Sequence, residues 1–272
     1  MSDNAQKNFD TIVHLGAGRD TNGQQADYGA RRIILVEANP DAADVLAARN
    51  AKRSHVTVLP KAVAGSVGTR VLNVLNLQSA SSLNTPTGLK KLYPNIEIVK
   101  TIPVNTLAAD NFIQELGLGE TQRHLLVIDT PGVEYEILQS LIDSKLLTQF
   151  TRVHIHSTEN QLYEGAKTTR EIGPLLSKQG FSTSIDASTP DHPIIKAELS
   201  QFYAELVKTR AELAEAKAEI ARLEKESGIE IARLERIVQE AHYRSELTNS
   251  ELVKTDAQLE LIKDFLSRNK AS

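Results

Sequence analysis

Near the start of the chain, the segment DTIVHLGAGRD is followed by ARRIILVEANP. An apolar strand enters a glycine turn at Gly16–Ala17–Gly18, and a second apolar strand closes on an acid, Glu37. Few folds use that order of parts. A parallel α/β sheet binds a nucleoside-containing ligand with it: the glycines let backbone approach the ligand, and the carboxylate accepts hydrogen bonds from ribose hydroxyls. The turn is shorter in glycine than the full dinucleotide fingerprint, so other segments must say which ligand is meant.

They continue the same pattern. From Thr11 to about Ile185, β-branched runs (TIVHL, RIILVEA, VTVLPKAV, RVLNVLNL, HLLVID, TRVHIHS) alternate with amphipathic segments such as DAADVLAARN and GVEYEILQSLIDSKLL. This alternation predicts a Rossmann-like parallel sheet with helices on both faces. Continuous apolarity in IILV and LLVI fits strands covered on both sides. Asp41 and Asp110 are expected as helix N-caps and Gly180 as a helix stop.

Beyond residue 188 the character changes. STPDHP, with Pro190 and Pro193, cannot extend a helix and is expected as a linker over 189–195. From 196 to 270, apolar or small residues recur at Leu199, Phe202, Leu206, Leu213, Ala216, Ile220 and Leu223. Steps of three and four make this a heptad repeat. It falters at Ser227–Gly228, resumes at Leu234, Ile237 and Ala241, and shifts by four residues before Leu252, Leu259, Ile262 and Leu266. A helix with so narrow a stripe needs a partner. The expectation is a coiled coil, formed with a second copy or with a helical protein. The preceding domain, 1–188, is expected to fold without it, so a chain cut after about Asp191 should stay folded and monomeric.

Bulk composition narrows the function classes. With 31 basic and 35 acidic residues the formal charge is −4, which offers no nucleic-acid footprint. The chain has no cysteine, so disulfides, thiolate metal sites and a cysteine nucleophile are excluded. Its seven histidines lack metal-ligand spacing, and no metal is expected. No run approaches the roughly 20 apolar residues of a membrane span, and MSDNAQKN lacks the apolar centre of a signal peptide. A cytoplasmic protein is expected. Walker, HExxH and GxSxG sequences do not occur.

Taken in order, these segments resemble the FkbM-like branch of class I S-adenosylmethionine-dependent methyltransferases. VEANP resembles the family's second, acid-bearing motif. VTVLPKAVAGSVGTRVLNV with SASSL resembles its Ala-Val, Gly-turn and Ser-rich loop, and TIPVNTLAAD its next strand. LLVIDTPGVEYEILQSL is similar to the strand–Asp–Gly–helix segment, and RVHIHSTENQLYEG with LLSKQGF to the closing elements. The resemblance covers residues 10–185 and leaves the heptad region outside. It implies S-adenosylmethionine as cofactor, with Gly16, Ala17 and Gly18 along its methionine and ribose part and Glu37 with Ala38 at the ribose. Lys61 and Ala62 would lie near the adenine. Asp129 would face the methyl-transfer site as a base, and His156 is a second catalytic candidate, with His154 two positions earlier on the same face. The implied acceptor is a hydroxyl on a sugar or related small molecule. Three positions depart from the family pattern: His14 replaces an acid, Asp20 a small residue, and Pro131 an acid or amide. They keep open the alternative of a catalytically degenerate domain that serves as a binding or scaffold module through its coiled coil.

Overall fold

A computed structural model describes residues 9–19, 29–119, 122–188 and 192–269, without the side chains of 201, 203, 204, 207, 208, 210, 211 and 264–269. Asp20 and the opening octapeptide therefore lie outside the described residues. In chain order the elements are β1 Phe9–Leu15, β2 Ala30–Val36, α1 Pro40–Asn50, β3 Val56–Leu59, β4 Ala62–Ala64, β5 Gly68–Leu75, β6 Ile98–Ala108 and α2 Ala109–Glu115. They continue with β7 His124–Ile128, α3 Glu134–Asp143, β8 Arg152–His156, α4 Thr169–Lys178, β9 Phe181–Asp186, β10 Ile194–Leu199 and α5 Gln201–Asn269.

The main sheet has seven strands in the order β3-β2-β1-β7-β8-β10-β9. The first five are parallel, as the alternating pattern predicts. Alternate residues point to opposite faces, so the continuous apolar runs supply two cores. Val13, Leu15, Ile34, Leu126, Ile128 and Val153 pack with α3 and α4 on one face. Ile12, Ile33, Leu35, Leu125 and Val127 pack with Leu46 of α1 on the other. Helices cover both faces, as expected.

The sequence expectation fails first at one strand and at two helix caps. The run VTVLPKAV is not one strand: it divides at Pro60–Lys61, where Lys61 N–H turns back to the Leu59 carbonyl at 2.9 Å. β3 stays in the main sheet, whereas β4 pairs with β6 in a separate three-stranded sheet of order β4-β6-β5. A proline has no N–H to give a ladder, so the chain changes sheets where it stands. The N-cap of α1 is Asn39, whose side chain accepts from Asp41 N–H at 3.2 Å, and Ala108 holds the corresponding place before α2. Gly180 does stop α4, with φ +85°.

The largest correction concerns the supposed linker and the start of the helix. Residues 194–199 form β10, inserted antiparallel between β8 and β9. Ile195 and Ala197 are buried in the core, and Leu199 pairs with Phe181 rather than opening the heptad. The helix begins at Gln201. Pro193 stands just before the strand, where its missing N–H is tolerated, and Lys196 and Glu198 alternate with the two buried residues. Residues 189–191 of the expected linker lie outside the described residues.

The second compact unit, Leu206–Ser272, is described on its own. Its helix passes through Gly228 without a break. At ~1.5 Å per residue, the 69 residues of α5 extend about 100 Å. Leu213, Ile220, Leu223, Leu234, Ile237, Leu252, Leu259 and Ile262 are all at least half exposed or nearly so. Short-range pairs such as Arg222–Glu219 and Arg244–Glu240, both 2.7 Å, line its surface. No described helix is long and apolar enough to cross a membrane.

Candidate active site

Parallel strands β1, β2 and β7 end side by side, and the residues just past them line a cleft of about 850 Å³. Gly16 and Gly18 turn the chain away from β1 with φ +78° and +62°, a region that glycine enters without the Cβ penalty. Their reasons differ. A Cβ on Gly16 would strike the backbone carbonyl of Asp129, 2.7 Å from its carbon, so this glycine lets two strand ends approach each other. A Cβ on Gly18 would meet nothing within 4 Å, because Gly18 faces open cleft.

Glu37 follows β2 and reaches back to the turn. One carboxylate oxygen accepts Gly18 N–H at 2.7 Å and the other accepts Asn39 N–H at 2.8 Å. Two backbone bonds thus fix the carboxylate while leaving lone pairs directed to the cleft. Burial raises its pKa, and the backbone donors from Asn39 and Gly18 oppose that. Ala17 and Ala38 line the same wall. Lys61 also lines the cleft, whereas Ala62 is buried at the start of β4, pairing with Thr106.

Asp129 follows β7, anchored by its N–H to the Leu15 carbonyl at 2.9 Å. Its side chain is 35% exposed, and that exposure is to the cleft. Desolvation raises its pKa, against the pull of His156 and His192. His156 Nδ1 stands 3.6 Å from Asp129 Oδ2, so the two catalytic candidates are neighbours. His154 lines the cleft too. Burial first, then the charges of Lys196 and Arg152, lower its pKa to about 4 and keep it neutral. His14 is buried in β1, and the strand register places His14, Val127, His154 and Lys196 in one row across the sheet.

Beside Asp129 and His156 the cleft meets a second cavity of about 240 Å³. Its lining adds residues that the sequence reading missed, Glu134, Tyr163 and His192. Tyr163 packs over Gly132 and donates to the Ala80 carbonyl at 2.7 Å. Pro131 stands where both cavities meet. Its carbonyl accepts from Ser82, and the Gly132 carbonyl accepts from Asn84 at 2.6 Å. Asn84 in turn accepts from Arg70, which pairs with Glu136 at 2.7 Å. The Ser-rich loop therefore clamps the turn that carries Asp129.

Glu134 opens α3, and burial raises its pKa to about 8. The native state then holds a proton that the unfolded chain releases near pH 4.5. Stability therefore falls as pH rises from about 4.5 to about 8, by a few kcal/mol across the window. Glu134→Gln should abolish that fall, so its denaturation midpoint should exceed the wild-type value at pH 9 but not at pH 5. Parallel pH dependence of the two proteins would count against a buried, neutral Glu134.

Two buried polar atoms on the cleft wall, Arg19 Nε and Thr130 Oγ1, lack a hydrogen-bond partner among the described residues. Together with the fixed Glu37 carboxylate they suit a polar, nucleoside-bearing ligand. No group of three or more His, Asp or Glu among the described residues could hold a metal ion.

The sequence profile of the methyltransferase FkbM domain matches residues 14–183. The chain belongs to the FkbM methyltransferase family. No curated protein matches it. Among solved structures, the FkbM methyltransferase of Methylobacillus flagellatus is similar at 11% identity and TM-score 0.43, over 70% of this chain and 44% of that one. A putative RNA methyltransferase of Pyrococcus horikoshii is similar at 11% identity and TM-score 0.35, over 70% and 75%. Aeropyrum pernix fibrillarin, solved with natively bound S-adenosyl-L-methionine, follows at 15% identity and TM-score 0.37, over 70% and 67%.

Proposed function

We propose that this FkbM-family chain binds S-adenosylmethionine and transfers its methyl group to a hydroxyl of a sugar or related small molecule. The supporting observation is the Glu37 carboxylate, fixed by Gly18 and Asn39 at the cleft wall with acceptor capacity left over. A ribose diol supplies two donors that match it. Gly16, Ala17 and Gly18 leave room for the methionine and ribose part against backbone, Ala38 lies at the ribose, and Lys61 flanks the adenine end with Ala62 behind it. When bound, the cofactor supplies an electrophilic methyl on a sulfonium. Asp129 takes the acceptor hydroxyl's proton as the oxygen attacks, and its raised pKa suits it to that task. His156 borders Asp129 and helps orient the hydroxyl. The helix α5 joins copies of the chain, since its heptad stripe is exposed along the described length.

Calorimetry with S-adenosylhomocysteine tests the cofactor assignment. The wild type should bind it, and Glu37→Ala should weaken binding by about a hundredfold, as loss of charge-assisted hydrogen bonds to a diol requires. Absence of binding at millimolar ligand by the folded wild type would leave the scaffold reading in its place.

A further inference from the structure

Helix α5 carries apolar residues that nothing covers among the described residues, and their spacing dictates how a partner must lie. One stripe runs through Leu206, Thr209, Leu213, Ala216, Ile220 and Leu223. A second starts at Ile231, Leu234, Val238 and Ala241 and keeps the same steps of three and four through Ser245 and Leu252 to Ile262. Between them, Leu223, Ser227 and Ile231 stand four apart twice, so the stripe shifts once, at Ser227. That shift keeps Glu230 on the flank, where it meets Arg233 at 3.4 Å. Two polar residues of the second stripe, Thr248 and Thr255, donate to the Arg244 and Glu251 carbonyls of their own helix, both at 2.9 Å. Their hydroxyls are satisfied within the helix, so a seam can bury them without leaving a donor unmet.

We propose that α5 pairs with α5 of a second copy, parallel and in register, which rests on the reading above that the helix joins copies. In a parallel pair both chains shift stripe at the same height, so the seam stays closed on either side of Ser227. An antiparallel pair aligns the two shifts only when it is centred on Ser227. Just 26 residues of α5 precede that point, so such a pair ends near residue 253 and leaves Leu259 and Ile262 uncovered. The flanking charges favour the parallel arrangement too. Five residues apart across a parallel seam, Glu212 meets Lys217 of the second copy. Glu219 then meets Glu224, and Arg222 of its own helix, at 2.7 Å, offsets the Glu219 charge. Both chains thus enter the coil at the same end.

The chain has no cysteine, so a single introduced thiol reports only on its own counterpart. In the full-length protein, Ala216→Cys and Ser245→Cys are small changes at seam positions, one on each side of Ser227. After equilibration with glutathione, each should form a disulfide-linked dimer at least about tenfold more readily than Ala218→Cys or Ala257→Cys on the outer face. In an antiparallel pair centred on Ser227, the two copies of residue 216 lie roughly 30 Å apart, too far to link. If the wild type associates on sedimentation but Ala216→Cys links no better than Ala218→Cys, the parallel arrangement fails. A link at 216 without one at 245 overturns the single shift at Ser227. A wild type that sediments as a monomer overturns the pairing together with the joining of copies, while S-adenosylhomocysteine binding still decides the cofactor assignment on its own.

Discussion

A chain ending at Asp191 should fail to fold, whereas one ending at Glu205 should unfold cooperatively. The shorter chain lacks β10, which sits between β8 and β9 and is bonded to both along its length. Its loss strips two ladders at once and leaves Phe181, Val153 and Ile155 without Ile195 and Ala197. Burying one Ile side chain is worth about 1.5–3 kcal/mol. With ladder bonds added, the deficit rivals the whole ~5–15 kcal/mol stability of a typical domain. The sequence reading expected the opposite, because it placed the sheet's end before the prolines. Circular dichroism with urea titration distinguishes the two outcomes, and a sharp, native-like transition for the Asp191 chain would contradict the placement of β10.

Gly16→Ala should destabilise the domain by about 3–5 kcal/mol, against about 1 kcal/mol for Gly18→Ala. Both residues sit at positive φ, so both variants incur the left-handed penalty. Only at Gly16 does the new methyl meet backbone, the carbonyl of Asp129, and neither strand end can yield without breaking the Asp129 N–H to Leu15 bond. Differential denaturation of the two variants reads this directly. Equal losses would mean that the approach of β1 to β7 is looser than described. Because Asp129 is the proposed base, Gly16→Ala should also displace it, while Gly18→Ala should leave Asp129 in place.

What the sequence disclosed was local. Strand, glycine turn and acid lie within about thirty residues and speak through backbone conformation, so Gly16, Gly18 and Glu37 were legible. Asp129 and His156 were legible as strand-end residues, and the structure brings them together. β10 was not, because Leu199 and Phe202 happen to continue the spacing of the following helix, and two prolines hid a strand of six residues. Glu134 escaped notice for another reason. An acid in the first turn of a helix is ordinarily a solvated partner of the helix dipole, whereas Glu134 is buried at the wall of the second cavity, which Gly132 and Tyr163 also line. The Ser82–Asn84–Arg70 clamp joins segments about fifty residues apart, beyond the reach of any periodicity.

The contact between Gly16 and the Asp129 carbonyl has a consequence for the lineage as well as for the molecule. A descendant of this chain that lost methyl transfer would still need glycine at position 16, since the sheet demands it with or without a ligand. Glu37 is under the reverse pressure: burial raises its pKa, so an ionised carboxylate at that place carries a desolvation cost that the Gly18 and Asn39 donors oppose. Released from selection for binding, that acid would drift to something neutral long before the glycine changed. Among related sequences, then, an acid at position 37 is the better sign of a working pocket, and Gly16 marks only the ancestry of the sheet.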